Sequence, residues 1–577
     1  MGPSVPLRVV FLAGGDSAST RSSIASVCRV RGIEPAAILL DVARRPLRAR
    51  FRSLRRNIRR EGLSYVAYRV LDALYGVGSE AVEAFFPRRR IQEILHRAFP
   101  DECFHLASLA ERHGMRFIEV DNLNSDSAAE ALTALKPDLA IVLGTRVLRR
   151  STFGVPRLGS INLHKGALPR YRGMPPGFWE LYNGEKSAGV TVHFVDDTLD
   201  TGDVIASSEV EISPLDTPDS LLGKLHLAGA NTLAEAVSAI ESGTATRVCQ
   251  QDRRQKAYTR PTRKQISELR RRLPHWRRQS ALKGTLKNLL ALALYYSGIF
   301  WLVRRCHRYR GSRGAVVLYH RVNDIAEWND PLTTNRERFA GHMLMISQWY
   351  KPISSNSLVR HIRERIPVPA TSVAIHFDDC YRDVYRNAWP IMRASGVPGA
   401  AFVSSGFVGA SRAFAHDRLK SPFQFENLTE PDLREMAAGG FEIGAHTINH
   451  VDLGTAPLAE AVREIEGSVR SLERLTGSPI RLFSFPFGGQ RNFRRELRPT
   501  VESAGCEGIF SAHGGFIDSA TDPYAIPRLG ASSMNSPLAL ALELEGLAPG
   551  ALIARLRSCI GGGRASFRRA AMRAGLE

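Results

Sequence analysis

Two short apolar runs in this chain each end in a cluster of ionisable groups, and this constrains the fold more than any other feature of the sequence. Residues 372–377, Ser-Val-Ala-Ile-His-Phe, have the length of a buried strand and deliver two adjacent carboxylates, Asp378 and Asp379. Sixty-seven residues after Asp379, a second run of this kind, residues 441–445, delivers His446, Thr447, Ile448, Asn449 and His450. One arrangement appears twice.

Hard and borderline divalent metals take deprotonated ligands that converge from different elements. One carboxylate and two imidazoles leave positions open for water and substrate, the catalytic rather than the structural pattern for zinc. If Asp379, His446 and His450 hold the metal, Asp378 is free to take a proton from water as it attacks a carbonyl carbon. Alone, H-x-x-x-H is a common spacing, and adjacent acids often only cap a helix. Their conjunction, each at the C-terminal end of a buried strand, is much rarer.

These residues resemble the motifs of the polysaccharide deacetylase family with the nodulation-type homology domain. Its first motif, T-F-D-D-G, falls on His376-Phe377-Asp378-Asp379-Cys380, and its second, H-[ST]-x-x-H, on His446-Thr447-Ile448-Asn449-His450. The resemblance extends from Val317 to Arg528 and implies a distorted (β/α) barrel that hydrolyses an N-acyl group on a sugar amine. The chain departs from the family at Cys380 and His376, and again at the third motif, where R-x-P-Y-G becomes Ser484-Phe485-Pro486-Phe487-Gly488. The arginine that orients the base is missing there, with Arg528 as the candidate substitute. The backbone N–H of Phe487 is expected to serve the oxyanion. His513, after the strand-like residues 508–512, is the candidate general acid for the leaving amine.

At 577 residues the chain is too long for one core. The expected division is a first domain at 1–262 with a basic helical insertion at 44–100, a basic and apolar connector at 263–314, a second domain at 315–545, and a basic tail at 546–577. The seven cysteines are scattered without a C-x-x-C, which fits a reducing compartment rather than a disulfide framework. No charged leader precedes a long apolar core at the N-terminus, so no signal peptide is expected. The net charge of +21 is clustered, with nine arginines between residues 44 and 60. Such surfaces attract nucleic acid, anionic lipid or phosphorylated substrates, and charge alone does not choose.

The first half begins as a doubly wound sheet does, with an apolar strand at residues 7–13, Gly14-Gly15, a helix, and a second strand at 36–41. Gly14-Gly15 lacks the rest of G-x-G-x-x-G, so no dinucleotide site is assigned. In the arginine-rich stretch, Leu47, Phe51, Leu54 and Ile58 place an apolar stripe on a basic helix. That stripe fits an anionic membrane surface and equally a helix packed on its own domain. Further on, Asn162 and His164 alternate on one strand and so share a face. A carboxylate such as Asp200 beside the histidine would orient it, and the amide can donate to an oxyanion, which are the parts that acyl transfer to an amine requires.

Over residues 7 to 262 these features resemble the 10-formyltetrahydrofolate-dependent formyltransferases. The family's N-x-H motif falls on Asn162 and His164, its aspartate on Asp200 and its second histidine on His193, with the Leu-Pro-x-Tyr-Arg-Gly loop at the family's spacing. The resemblance implies that Asn162 polarises the formyl carbonyl, His164 handles the amine proton and Asp200 positions it. Backbone near Leu143, Gly144 and Asp197 would hold the pterin. The small barrel that follows in enzymes formylating initiator tRNA is not recognisable here.

From residue 289 to 303 fifteen residues carry no charge. As one helix they would span about 22 Å, short of a hydrocarbon core of about 30 Å. Flanking lysines and arginines and the internal Tyr295, Tyr296 and Trp301 suit an interfacial helix, and a helix buried on the second domain is the alternative. The sequence therefore points to an α/β chain of two enzymes. The first formylates an amino sugar, nucleotide- or lipid-linked, from 10-formyltetrahydrofolate. The second removes an acetyl or formyl group with a divalent metal, zinc being the expected ion. The expected location is cytoplasmic, peripheral on the inner membrane face, with nucleic acid not an expected partner. The competing account is a methionyl-tRNA-type formyltransferase fused to a non-catalytic, sugar-binding barrel.

Overall fold

The computed structural model describes residues 5–42, 55, 58, 86–251, 257–273, 281–309, 313–325, 330, 332–379, 381–511, 514–531 and 536–547. They form two compact units. The first carries a seven-stranded sheet of β1 (Leu7–Ala13), β2 (Ile33–Asp41), β3 (Arg116–Val120), β4 (Leu139–Leu143), β5 (Ser160–His164), β6 (Ser187–Phe194) and β7 (Val204–Glu211), in the order β3-β2-β1-β4-β5-β6-β7. Strands β3 to β5 are parallel, while β6 and β7 join antiparallel. The chain winds outward from β1 to β3, then returns to β4 on the other flank of β1. That reversal opens a crevice beyond the carboxyl ends of β1 and β4, where doubly wound sheets bind ligands.

Period-two alternation explains why both faces are covered. Val9, Phe11 and Ala13 join Ile24 and Val27 of helix Ala18–Cys28 and Leu225, Leu233 and Val237 of helix Pro218–Glu241 in one core. Val10 and Leu12 join Leu132 and Leu135 of helix Asp126–Leu135 in another. Gly14 follows β1 where its N–H donates to the Leu143 carbonyl at 3.0 Å, and a Cβ there would stand 2.2 Å from the Gly144 carbonyl oxygen. The glycine therefore serves a close approach of two turns, not a nucleotide fingerprint.

The second unit is built on eight parallel strands: β8 (Gly314–Tyr319), β11 (Lys351–Pro352), β12 (Ser372–Phe377), β13 (Ala400–Val403), β14 (Glu442–Ala445), β15 (Leu482–Ser484), β16 (Gly508–Phe510) and β17 (Leu529–Gly530). A short ladder of β9 (Arg321–Val322) and β10 (Thr333–Thr334) follows β8. The strands run in the order β16-β15-β14-β13-β12-β8-β17, with β11 on β12. Just before β17, Ile526 donates to the Ile509 carbonyl at 2.9 Å and accepts from the Ser511 N–H at 3.0 Å, so the sheet's two edges meet in a distorted barrel. Val316, Ala374, Phe402, Leu482 and Phe510 form its core with Leu358, Val359 and Ile362 of helix Ser355–Arg363. His376, in place of the expected threonine, belongs to this core: its ring packs against Phe402 and Phe510, and its Nε2 lies 2.9 Å from Ser355 Oγ.

Two stretches differ from their sequence reading. The uncharged run is not one helix: Ala281–Tyr296 and Ile299–Tyr309 meet at 62°, broken where Gly298 takes φ 82°. Phe300 and Arg304 face inward, Arg304 toward Glu545 at 3.6 Å, while Tyr296 and Leu302 are 74% and 63% exposed. Among the described residues no single helix is long and apolar enough to cross a membrane. Helix Arg88–Ala98, read with the first domain, clusters with the second unit and buries Ile91, Ile94 and Leu95. Leu47, Phe51 and Leu54 of the basic stripe lie outside the described residues, as do Cys380, His513 and the tail beyond residue 547.

Gly14→Ala is expected to cost about 1–3 kcal/mol through overpacking against Gly144. Gly15→Ala, with nothing within 4 Å of its added carbon, should stay within about 0.5 kcal/mol of wild type. Denaturant unfolding of the two variants compares them.

Candidate active sites

In the first unit the antiparallel register sets Asn162 opposite His193 and His164 opposite Thr191. His193 Nδ1 donates to the Phe194 carbonyl at 2.7 Å, which leaves Nε2 to accept from Asn162 Nδ2 at 3.2 Å. His164 Nε2 donates to the Tyr171 carbonyl at 2.7 Å, turning Nδ1 toward Asp200 Oδ2 at 3.6 Å. Asp200 stands between both imidazoles, its Oδ1 3.8 Å from His193 Nε2, and it accepts the Gly173 N–H at 3.0 Å. Its backbone has φ 56°, held by Gln250, whose amide donates to the carbonyls of Asp200 and Gly202. Burial lowers the His193 imidazole below its ordinary value, so it sits neutral beside the carboxylate.

These groups open into a cavity of about 610 Å³ lined by β4, β5, β6 and the loops that follow them. Gly144, Arg146, Asn162, His164, Asp196 and His193 are among its lining. Leu143 ends β4 behind it, and Asp197 turns outward to Arg150 at 3.4 Å. Gly166 is required where it stands, because a Cβ would meet the Tyr171 carbonyl at 2.4 Å and His164 Nε2 at 2.7 Å.

In the second unit the ends of β12 and β14 bring Asp378, Asp379, His446 and His450 together. Asp379 and His450 take left-handed backbone conformations, φ 68° and 55°, and strain of this kind persists where the surroundings over-determine it. His450 Nε2 lies 3.0 Å and His446 Nε2 3.6 Å from Asp379 Oδ1. His446 Nδ1 donates to the Ser484 carbonyl at 2.8 Å, which fixes the tautomer and frees Nε2. Both Asp379 oxygens are buried without a well-formed hydrogen bond. Donors arranged tetrahedrally on bonds of about 2.1 Å stand roughly 3.4 Å apart, which the two distances from Asp379 Oδ1 straddle, although His446 is outside the group of ligand atoms that all lie within 4.8 Å of one another.

Asp378 has a different environment. Arg528 Nη1 and Nη2 grip its two oxygens, each at 2.7 Å, while the same guanidinium donates to Ser484 Oγ at 2.8 Å and to the Ser511 carbonyl at 2.7 Å. Burial pushes the Asp378 carboxyl up, but Arg528, together with His446 and His320, outweighs it and holds the group below the usual carboxylate range. Arg528 itself is fully buried. Phe487, with φ 62°, packs its ring edge-on to His450 at 4.8 Å.

Two nearby groups were missed by sequence reasoning. His320 follows β8; burial lowers its imidazole, and Asp379 and Asp378 act on it in the opposite sense. Its signal was its place in Tyr319-His320-Arg321, directly after an apolar strand. His416 reaches within 3.4 Å of Asp379 Oδ2 and forms with Asp379 and His450 a group whose ligand atoms lie within 4.8 Å of one another. No spacing rule joins residue 416 to residue 450, so only the fold displays it.

Comparison with known proteins fits this geometry. The family profile for formyl transferase matches residues 97–237, which contain Asn162, His164, His193 and Asp200. The profile for polysaccharide deacetylase matches residues 365–509, which contain Asp378, Asp379, His446 and His450 but neither His320 nor Arg528. Methionyl-tRNA formyltransferase of Flavobacterium johnsoniae is 32% identical over 195 residues, covering 33% of this chain and 60% of the relative. That of Geobacter metallireducens is 37% identical over 145 residues, covering 25% and 47%. The chain thus spans three fifths or less of the length of these curated relatives. Among solved structures, Streptococcus pyogenes deacetylase PplD in complex with acetate is 20% identical, with 39% of this chain and 96% of that chain covered and a TM-score of 0.34. Glycinamide ribonucleotide transformylase 1 from Symbiobacterium toebii is 19% identical, covering 42% and 90% with a TM-score of 0.29. The two family matches bear out both resemblances. Each is an enzyme family, and a folate-type cofactor goes with the first and a divalent metal with the second.

Arg528→Met leaves Asp378 as an unpaired buried charge and is expected to destabilise the second unit by about 3–5 kcal/mol. The double variant Asp378→Leu/Arg528→Met should recover most of that loss. Chemical denaturation of the three variants measures the coupling, and an unchanged Arg528→Met midpoint would show that the pair is not formed.

Proposed function

We propose that this chain, which joins a formyl transferase domain to a polysaccharide deacetylase domain, is a bifunctional enzyme of amino-sugar and cell-surface glycan metabolism. The first site formylates a sugar amine, and the second hydrolyses an N-acetyl or N-formyl group of an amino sugar. Asp378 carries the reading: a buried carboxylate kept anionic by Arg528, next in sequence to a cation site it does not share.

At the first site, 10-formyltetrahydrofolate supplies the formyl group. The sugar amine attacks the formyl carbon, its new C–N bond forming as the carbon's bond to the folate nitrogen breaks. One Asn162 amide hydrogen is engaged with His193 and the other is free to donate to the developing oxyanion. His164 takes the amine proton at Nδ1, where Asp200 at 3.6 Å stabilises the imidazolium, and returns it to the departing nitrogen.

At the second site Asp379, His446 and His450 would hold a divalent metal, zinc in this reading, which would supply Lewis acidity to the amide carbonyl and to water. Asp378 accepts the proton of the attacking water. The Phe487 N–H donates to the oxyanion, and the proton that Asp378 has taken passes through the neutral His320 imidazole to the amine as the C–N bond breaks. His513 is the alternative donor from sequence.

The acceptor in this reading is a nucleotide- or lipid-linked amino sugar, met at the cytoplasmic face of the inner membrane. Support comes from the bent helix pair, which exposes Tyr296, Ile299 and Leu302 beside the exposed Arg305 and Arg308. Exposed apolar and basic groups on one short segment suit anionic headgroups, at about 1 kcal/mol per basic side chain.

Mass spectrometry of amino sugars, acylated and free, nucleotide-linked and lipid-linked, incubated with the full chain, folate donor and zinc tests the chemistry. Formyl gain should vanish in His164→Ala and survive in Asp378→Asn, while acyl loss should show the reverse. Unchanged amide content throughout contradicts both halves; formylation of methionyl-tRNA instead of any sugar would move the first half to the substrate named for the curated relatives. Separately, the chain should float with phosphatidylserine vesicles, and Tyr296→Glu/Leu302→Glu should abolish this. Flotation that ignores the double variant would contradict the membrane-facing role.

A further inference from the structure

The hydrolysis above makes no use of His416, although its imidazole enters the second site. Its Nε2 lies 3.4 Å from Asp379 Oδ2, on the side of the carboxylate that His446 and His450 leave open, since both of those approach Oδ1. That oxygen is buried and accepts no well-formed hydrogen bond. His450 and His446 stand 3.0 and 3.6 Å from Oδ1 and His416 stands 3.4 Å from Oδ2, so a cation reached by all three imidazoles would face both carboxylate oxygens, and the ligand atoms of Asp379, His416 and His450 lie within 4.8 Å of one another.

The imidazole is held in place by buried groups. Asp417, the next residue, accepts from Arg321 Nη1 at 2.5 Å and from the Tyr381 hydroxyl at 2.6 Å, and Arg321 and Tyr381 are themselves buried. Phe414 stacks on the His416 ring at 5.5 Å and meets His450 edge-on at 5.4 Å. Tyr381 Oη is also 2.9 Å from His416 Nε2. Because the shorter contact takes the phenol proton to Asp417, the metal-free contact has Nε2–H donating to Tyr381, and a shift of the ring proton to Nδ1 would free the Nε2 lone pair for a cation.

We infer that His416 is a fourth protein ligand of the cation centred on Asp379. The inference rests on the metal-dependent reading of the second unit. Three imidazoles and one carboxylate would fill a tetrahedral centre, so water and substrate can enter only if the cation takes five or six ligands. His416 thereby sets the coordination number and raises the affinity of a site whose catalytic carboxylate, Asp378, is kept apart by Arg528.

The test is titration of the metal-free full chain with Co2+ and Zn2+. Wild type should bind with a visible Co2+ absorption band, and both His416→Ala and His416→Asn should lower affinity at least about 10-fold and change the band's position and intensity. Asp379→Asn should remove the band. The metal-free variants should unfold at the wild-type temperature, which separates lost ligation from lost folding; if His416→Ala unfolds early, His416→Asn, which keeps more of the volume, decides. Wild-type affinity and spectrum in the folded variants would overturn the inference while leaving the hydrolase reading intact. A wild-type chain that takes up no cation would overturn both.

Discussion

A buried guanidinium governs the second site. Two adjacent carboxylates at the end of one strand repel each other, and burial favours the protonated form of both. Arg528 resolves this on one side by gripping Asp378 through two bonds, and histidines resolve it on the other by surrounding Asp379. The same guanidinium reaches Ser484 at the end of β15 and the Ser511 carbonyl just past β16, so one side chain ties the acid to the strands that close the barrel. Placement and charge state thus have a common origin. Removing the arginine would alter the shape of the site together with its electrostatics.

The first site solves a related problem with weaker means. Asp200 lies between two imidazoles at 3.6 and 3.8 Å, held by a backbone N–H and a strained turn instead of a guanidinium. In the second unit the chemistry stands beyond the carboxyl ends of parallel strands, while in the first it lies on the antiparallel β5–β6 pair and the loop that carries Asp200. The donor set differs too. An amide and an imidazole suit acyl transfer from a carrier that brings its own leaving group. A carboxylate among imidazoles suits a cation, which can activate water against a stable amide.

Much of this was legible in the sequence. Apolar runs of strand length and the turns after them located β1, β4, β12 and β14, and alternation on β5 predicted that Asn162 and His164 share a face. Arg528 could be suggested once the third motif showed Ser484 in place of arginine. Contacts without local periodicity were not legible. His416 lies on a short helix far in sequence from the other ligands, and only the network of Arg321, Tyr381 and Asp417 fixes where it points. The uncharged run of residues 289–303 looked continuous because apolar content ignores backbone conformation, while Gly298 with a positive φ ends the helix. The insertion helix Arg88–Ala98 was assigned by position in the chain, whereas its buried Ile91, Ile94 and Leu95 follow packing.

The account turns on one division of labour, in which Asp379 belongs to the cation and Asp378 to the arginine. Anomalous diffraction at the zinc edge from crystals of the full chain grown with the metal tests this most directly. The account predicts a peak within bonding distance of Asp379 and the surrounding imidazoles, with both Asp378 oxygens still on Arg528. A peak ligated by Asp378, or bound zinc with none at Asp379, would contradict it.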